Sequence, residues 1–111
     1  MLESGMQPWV DPEGRPATEF PADDKGRRID ILAKDQHGVP VVIELKVSKG
    51  HEKVIGQALY YRGSLKQKLN APEVRIIIVA REIGDELRVA TKDLGDIGLF
   101  EYRLSMTLSK V

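Results

Sequence analysis

The chain contains no cysteine, which removes disulfide frameworks, thiolate metal sites and thiol nucleophiles from consideration. It has no apolar run near the ~20 residues that a membrane-spanning helix needs. Its start, MLESGMQPWV, lacks the basic residues and apolar stretch of a signal peptide. A cytoplasmic protein with no membrane association is the expectation that follows. Glycine-rich phosphate loops of the G-x-G-x-x-G or Walker type are missing, as is any Ser-His-Asp arrangement. Internal repeats and low-complexity tracts are also missing. Net charge is zero, from 17 basic and 17 acidic side chains. What is present is a chain of 111 residues with a charged fraction of 31% and apolar residues along its whole length. That composition argues for a folded domain rather than disorder, and the length suits one domain with a modest core.

The zero total hides an uneven distribution. Residues 1–24 hold one basic and six acidic groups, residues 25–68 hold ten and four, and residues 69–111 hold six and seven. If the ten central cations share a face they attract a polyanion in spite of the neutral sum. The alternative is an ordinary set of solvated surface charges.

Residues 1–16 carry three of the six prolines and two glycines with no sustained period, so they read as an irregular opening segment before a domain at 17–111. A short strand is expected at Ala17–Ala22. The stretches Arg27–Lys34 and Val41–Val47 alternate charged with apolar residues around Asp35-Gln36-His37-Gly38-Val39-Pro40, which predicts an antiparallel hairpin. Val54, Ala58, Tyr61, Leu65 and Leu69 then recur at helical spacing over His51–Leu69. Gly56 and Gly63 interrupt that helix, at a cost of roughly 1 kcal/mol each relative to alanine, and suggest close approach of a backbone or ligand. Val74–Ala80 is the β-branched run of a central strand covered on both faces. A shorter helix is expected at Glu82–Asp93, with Ile83, Leu87, Ala90 and Leu94 inward, and a half-buried strand at Leu99–Leu108. The order is βββαβαβ, an α/β arrangement with a mixed sheet flanked by helices.

A hairpin centred on His37 sets Asp30 opposite Glu44, on the same side of the sheet as Lys46, with Ile29, Ile31, Ile43, Leu45 and Val47 on the other. Two carboxylates directly opposed on a sheet repel unless a cation offsets them. A hard divalent cation suits them, because Mg²⁺ takes oxygen ligands and is usually held by one or two carboxylates plus substrate phosphate. The alternative is an ordinary polar strand face on which Lys46 bridges both acids.

Asp30 followed by Glu44-Leu45-Lys46 on the next strand resembles the PD-(D/E)xK nuclease superfamily, with Ile29-Asp30 in place of Pro-Asp. Gly26–Ala33, Val42–Lys46, Gly56-Gln57 followed by Tyr61, and Ile77–Ala80 are similar to the C-terminal nuclease domain of NucS-type endonucleases over roughly residues 17–108. The resemblance implies a restriction-endonuclease-like fold and metal-dependent cleavage of DNA. It assigns Asp30 and Glu44, with the main-chain carbonyl of Leu45, as ligands of Mg²⁺ or Mn²⁺, and Lys46 as the group that orients or deprotonates the attacking water. Gln57 and Tyr61, one helical turn apart, match the family's Gln and Tyr beside the site. Arg27, Arg28, Lys49, Lys53, Arg62, Lys66 and Lys68 lie near these positions in sequence and favour phosphate contacts. Glu19 matches an acidic or amide residue of relatives. The helix that opens such domains is not evident in the sequence, and a homodimer covering the face it would have occupied is expected. A catalytically inactive module that binds nucleic acid or a protein is the alternative. His37 and His51 are expected in solvent, and Met6 and Trp9 packed on the domain or a partner subunit.

Overall fold

Alternation along two neighbouring stretches produces the hairpin on which the structure is built. The computed structural model describes residues 3–10, 13–14, 18–50, 53–103 and 107–111, with the backbone alone at Glu19 and 47–50. Its elements are β1 (Gln7–Pro8), β2 (Thr18–Pro21), β3 (Arg28–Lys34), β4 (Pro40–Gly50), α1 (Lys53–Lys68), β5 (Arg75–Ile83), α2 (Asp85–Thr91) and β6 (Ile97–Glu101). The expected βββαβαβ order holds, with one addition: the two residues of β1 pair with Lys34 and Ala33 of β3. The sheet is mixed. β1 and β2 run antiparallel to β3, β3 antiparallel to β4, and β4, β5 and β6 are parallel neighbours.

The hairpin register is the one a turn centred on His37 demands, with Ile31 opposite Ile43, Leu32 opposite Val42, Ala33 opposite Val41 and Lys34 opposite Pro40. Asp35 fixes that turn by accepting hydrogen bonds from the amides of His37 (2.8 Å) and Val39 (3.0 Å), while Gly38 supplies a φ of 81° that side-chain-bearing residues avoid.

Both parallel connections, β4-α1-β5 and β5-α2-β6, step across the sheet in the same direction. The right-handed rule for such crossovers therefore puts both helices on one face. The core agrees: Val54, Ala58, Tyr61 and Leu65 of α1 and Leu87 of α2 share one cluster with Leu32, Val42, Ile76 and Ile78. Fully burying each of these large aliphatic side chains is worth roughly 1.5–3 kcal/mol. On the opposite face Ala33, Val41, Ile43 and Ile77 cluster with Met6. Arg75 holds the opening segment there through an ion pair with Glu3 (2.5 Å) and also pairs with Asp35 of the β3–β4 turn (3.3 Å). Met6 is buried and Trp9 packs against the helix-side core.

The boundaries differ from sequence expectation where partners decide them. β5 continues past Ala80 to Ile83 because Glu82 and Ile83 find pairing partners in Lys49 and Gly50 beyond a register shift in β4. Ile83 is thus a strand residue, and α2 starts only after the extended Gly84; Ala90 is exposed and Leu94 lies beyond the helix. β6 begins at Ile97 and ends at Glu101, where its ladder with β5 closes on the Tyr102 amide donating to the Ala80 carbonyl (3.0 Å). The alternation further on makes no strand at Tyr102–Arg103 or Thr107–Leu108, and residues 104–106 lie outside the described residues. Helix α1 stops in a Schellman motif: Ala71 and Asn70 amides donate to the Lys66 and Gln67 carbonyls, with Asn70 at φ 50°. His51 falls outside the described residues and His37 is exposed. Ile29, expected with Ile31 and Ile43, packs instead in the helix-side cluster, while Leu45 faces solvent at 46% exposure. The side chain of Val47 lies outside the described residues.

Candidate active site

Alternation puts Val42, Glu44 and Lys46 on the same face of β4, and Val42 belongs to the helix-side cluster. Glu44 therefore projects between the sheet and α1. It is 1% exposed, and its Oε1 has no hydrogen-bond partner. One register step beyond the Ile31–Ile43 pair, Asp30 approaches it, and the Asp30 Oδ2 accepts from the Leu45 amide at 2.9 Å. Burial pushes the Glu44 carboxyl up to about 8; the Asp30 charge and a hydrogen bond shared with the Asp30 side chain push the same way, against the opposing pull of Lys46. Without a cation beside it, the Glu44 carboxyl thus keeps its proton at neutral pH.

Lys46 does not bridge the acids. Its Nζ donates to Gln57 Oε1 at 3.3 Å, and Gln57 Nε2 donates to the Tyr61 hydroxyl at 2.9 Å. Gln57 and Tyr61 stand one turn apart on α1, which sits over the site because Ala58, Tyr61 and Leu65 are drawn into the core. Burial raises the Tyr61 hydroxyl pKa above its ordinary value, with the Gln57 hydrogen bond acting against the rise. Asp30, Glu44, Lys46, Gln57 and Tyr61 thus form one continuous group, and Arg27 lines a cleft with Gln57 and Tyr61. The main chain of Leu45 belongs to the same turn of structure through its bond to Asp30.

The other cations scatter. Arg28 is exposed on β3, Lys53 opens α1, and Lys66 sits in its last turn, about 14 Å along the axis from Gln57 at 1.5 Å per residue. Arg62 is committed to Asp96, and Lys68 donates to the Pro21 carbonyl at 2.9 Å beside the Phe20 ring. The side chains of Lys49 and Glu19 lie outside the described residues. Two residues near the site escaped the sequence reading, Tyr60 and Asp23, whose side chains bond to each other at 2.7 Å. Tyr60 lies three residues from Gln57, a spacing that marks a shared helix side; nothing in the sequence signals Asp23.

A mixed sheet whose central hairpin carries this acid pair and lysine beneath a helix has the PD-(D/E)xK-like nuclease fold. The chain belongs to the endonuclease NucS C-terminal domain family, whose profile matches residues 24–100. Among solved structures it is similar to a repair endonuclease from Pyrococcus abyssi, at 25% identity and a TM-score of 0.72 over 91% of this chain and 40% of that one. It shares the fold of EndoMS in a complex with dsDNA (21% identity, TM-score 0.68, 93% and 39% covered) and in apo form (20%, 0.64, 92% and 38%). The chain spans about two fifths of the length of these solved relatives. Comparison with curated proteins finds no match. Among the described residues, no helix is long and apolar enough to cross a membrane.

Proposed function

We propose that this chain is a metal-dependent DNA endonuclease domain that hydrolyses phosphodiester bonds. The observation that carries the reading is the buried Glu44 carboxylate with its orphaned Oε1 beside Asp30. An unpaired buried carboxylate oxygen costs about 1–3 kcal/mol or more, and a cation is the partner that would satisfy it. The donor set fits Mg²⁺ or Mn²⁺: two carboxylates, Asp30 and Glu44, with the Leu45 carbonyl as a third oxygen. A divalent ion held there would polarise the phosphodiester and lower the pKa of a water molecule. Lys46 orients or deprotonates the attacking water and faces the charge that builds on the phosphate. Gln57 and Tyr61 hold the Lys46 ammonium at one place, since a four-carbon side chain otherwise samples many. Arg27, Arg28, Lys49, Lys53 and Lys66 supply contacts to DNA phosphates; Arg62 contributes only by giving up Asp96.

The test is calorimetric titration with Mn²⁺ together with a cleavage assay on single-stranded, duplex, mismatched and branched DNA. Binding that Asp30→Asn and Glu44→Gln weaken, and cleavage that Lys46→Ala removes, is expected; undiminished cleavage by Lys46→Ala excludes the mechanism. One observation favours a second reading, an inactive module that binds nucleic acid or a protein: among the described residues, no group of three or more His, Cys, Asp or Glu side chains is placed to hold a metal. Absence of Mn²⁺ binding selects it. A cytoplasmic location and a homodimer belong to the proposal; a monomeric mass in light scattering at tens of micromolar removes the dimer.

A further inference from the structure

Two chains of hydrogen bonds end on neighbouring residues of α1. One runs from Lys46 through Gln57 to the Tyr61 hydroxyl. The other starts at Tyr60, whose hydroxyl donates to Asp23 Oδ2 at 2.7 Å, and passes into the turn before β3. The two tyrosine rings meet edge-on at 6.2 Å between centroids. Tyr61 is buried and Tyr60 is 40% exposed, so the second chain lies nearer the surface. Asp23 uses both of its oxygens. Its Oδ1 accepts from the amides of Lys25 (2.9 Å) and Arg27 (3.2 Å), which ties down a turn whose Gly26 has a φ of 91°. Its Oδ2 binds Tyr60 and lies 3.7 Å from Arg27 Nη1. The Tyr60 hydrogen bond, helped by those of the two amides, holds the Asp23 carboxyl below its ordinary pKa against burial, so the group is charged at neutral pH.

The Arg27 guanidinium is therefore located twice, by this carboxylate and by the Tyr60 ring, whose centroid is 4.6 Å away. Neither contact occupies its donors. A separation of 3.7 Å is beyond a hydrogen bond, and among the described residues no acceptor bonds to the side chain, which is 55% exposed. Its charge is felt at the Tyr61 hydroxyl. It lines one cleft with Gly56, Gln57, Tyr60 and Tyr61.

An acid beside a surface that binds a polyanion repels its ligand, so the place of Asp23 asks for a reason. Fixing a free arginine on a phosphate costs side-chain entropy. Here the protein fixes it beforehand and leaves the guanidinium fork free to match two phosphate oxygens. Lys46 is not among the residues that line the cleft, so the phosphate Arg27 meets is a neighbour of the one Lys46 faces. We propose that Asp23 and Tyr60 are positioning residues that hold Arg27 for the phosphate next to the one cut, so that adjacent tyrosines of α1 set two cations along one strand. This rests on the nuclease reading and adds to it the device that places the strand.

The experiment measures binding of short fluorescein-labelled oligonucleotides, single-stranded and duplex, to the intact chain over a range of KCl concentrations, with Ca²⁺ in place of Mg²⁺ so that binding is read without turnover. Arg27→Ala should weaken binding about tenfold and reduce the slope of log K against log salt by roughly 0.7–0.9, the value of one phosphate contact. Asp23→Ala is the discriminating variant. Removing a negative charge beside DNA tightens binding if the carboxylate is merely nearby; if it positions Arg27, binding weakens about fivefold in spite of the charge change. In the Arg27→Ala background the same substitution should no longer weaken binding, because no guanidinium is left to position. Tyr60→Phe keeps the ring and both amide bonds of the turn, and should weaken binding about threefold, the worth of one hydrogen bond, again only with Arg27 present; it decides the matter if Asp23→Ala fails to fold. Wild-type or tighter binding in either variant, or a loss of the same size in the Arg27→Ala background, overturns the inference while leaving the nuclease reading in place. Failure of the wild-type chain to bind or cleave any DNA form defeats that reading and this inference together.

Discussion

The same hairpin carries a carboxylate at each end, one half-buried and one fully buried, and the two are treated in opposite ways. Asp35, at the turn, has a side chain only 10% exposed. Burial alone would raise its pKa, yet the Val39 and His37 amides and Arg75 outweigh burial and hold it below the usual carboxylate value. Glu44, at the far end, is 1% exposed, has an oxygen with no partner, and is driven up to about 8. Lys46, two residues away, turns to Gln57 instead of neutralising it. Glu44 is the more deeply buried, and it also lacks the donors that surround Asp35. A satisfied acid tightens a fold, whereas an unsatisfied one is tolerated where a ligand completes it.

The largest effect that could break this contrast concerns Lys46. Lys46→Ala should lower Mn²⁺-supported cleavage by at least about 10²-fold, the scale of losing a group that acts in the transition state, with an unchanged circular dichroism spectrum. Next comes the satisfied acid. Asp35→Ala removes the oxygen that accepts from two amides and a partner of Arg75, and should cost about 1–3 kcal/mol in urea unfolding; a midpoint equal to wild type would mean that the turn does not need its carboxylate.

The two acids should also separate in pH. Glu44 has a folded pKa, about 8, above its ordinary 4.5, so the folded chain retains a proton that the unfolded chain has lost. The metal-free chain should therefore lose stability as pH rises from about 4.5 to 8, and Glu44→Gln should flatten that slope. Asp35 lies below its ordinary 3.8. Its contribution is complete above that value and disappears as pH falls through the lower, folded pKa, so Asp35→Asn should alter only the acid limb of a Tm profile. A Glu44→Gln profile that still declines between pH 5 and 8 would count against the raised Glu44 pKa. The smallest effect is a control away from both acids: Gly63→Ala, where an added Cβ meets nothing within 4 Å, should stabilise α1 by about 0.5–1 kcal/mol and leave cleavage unaltered.

Much of this arrangement was legible before any coordinates. The turn residues Asp35–Pro40 and the alternation on either side dictate which residues of β3 and β4 oppose one another, because strand side chains alternate with period two and a slip of one would bury Asp30 and Glu44's neighbours on the wrong face. Helical spacing likewise marked Val54, Ala58, Tyr61 and Leu65 as the buried stripe of α1. The ends of β5, α2 and β6 were not legible, since Glu82 and Ile83 pair with a segment of β4 displaced by an irregularity, and the alternation runs on past Glu101, where the described ladder between β5 and β6 ends. Nor did charge count reveal which cations are free: Arg62 and Lys68 lie in the basic third of the chain and are occupied by Asp96 and Pro21.

By itself, then, the sequence determined the hairpin register, the helical stripe and the family to which the chain belongs, because each depends on local periodicity and on motif spacing. Only the tertiary structure decided that Lys46 bonds to Gln57 and not to the acids, that Glu44 keeps an oxygen without a partner, and that Tyr60 and Arg27 enclose an open cleft. Those outcomes depend on distances between segments brought together by two crossovers, and on the desolvation that follows when a helix is packed over a sheet.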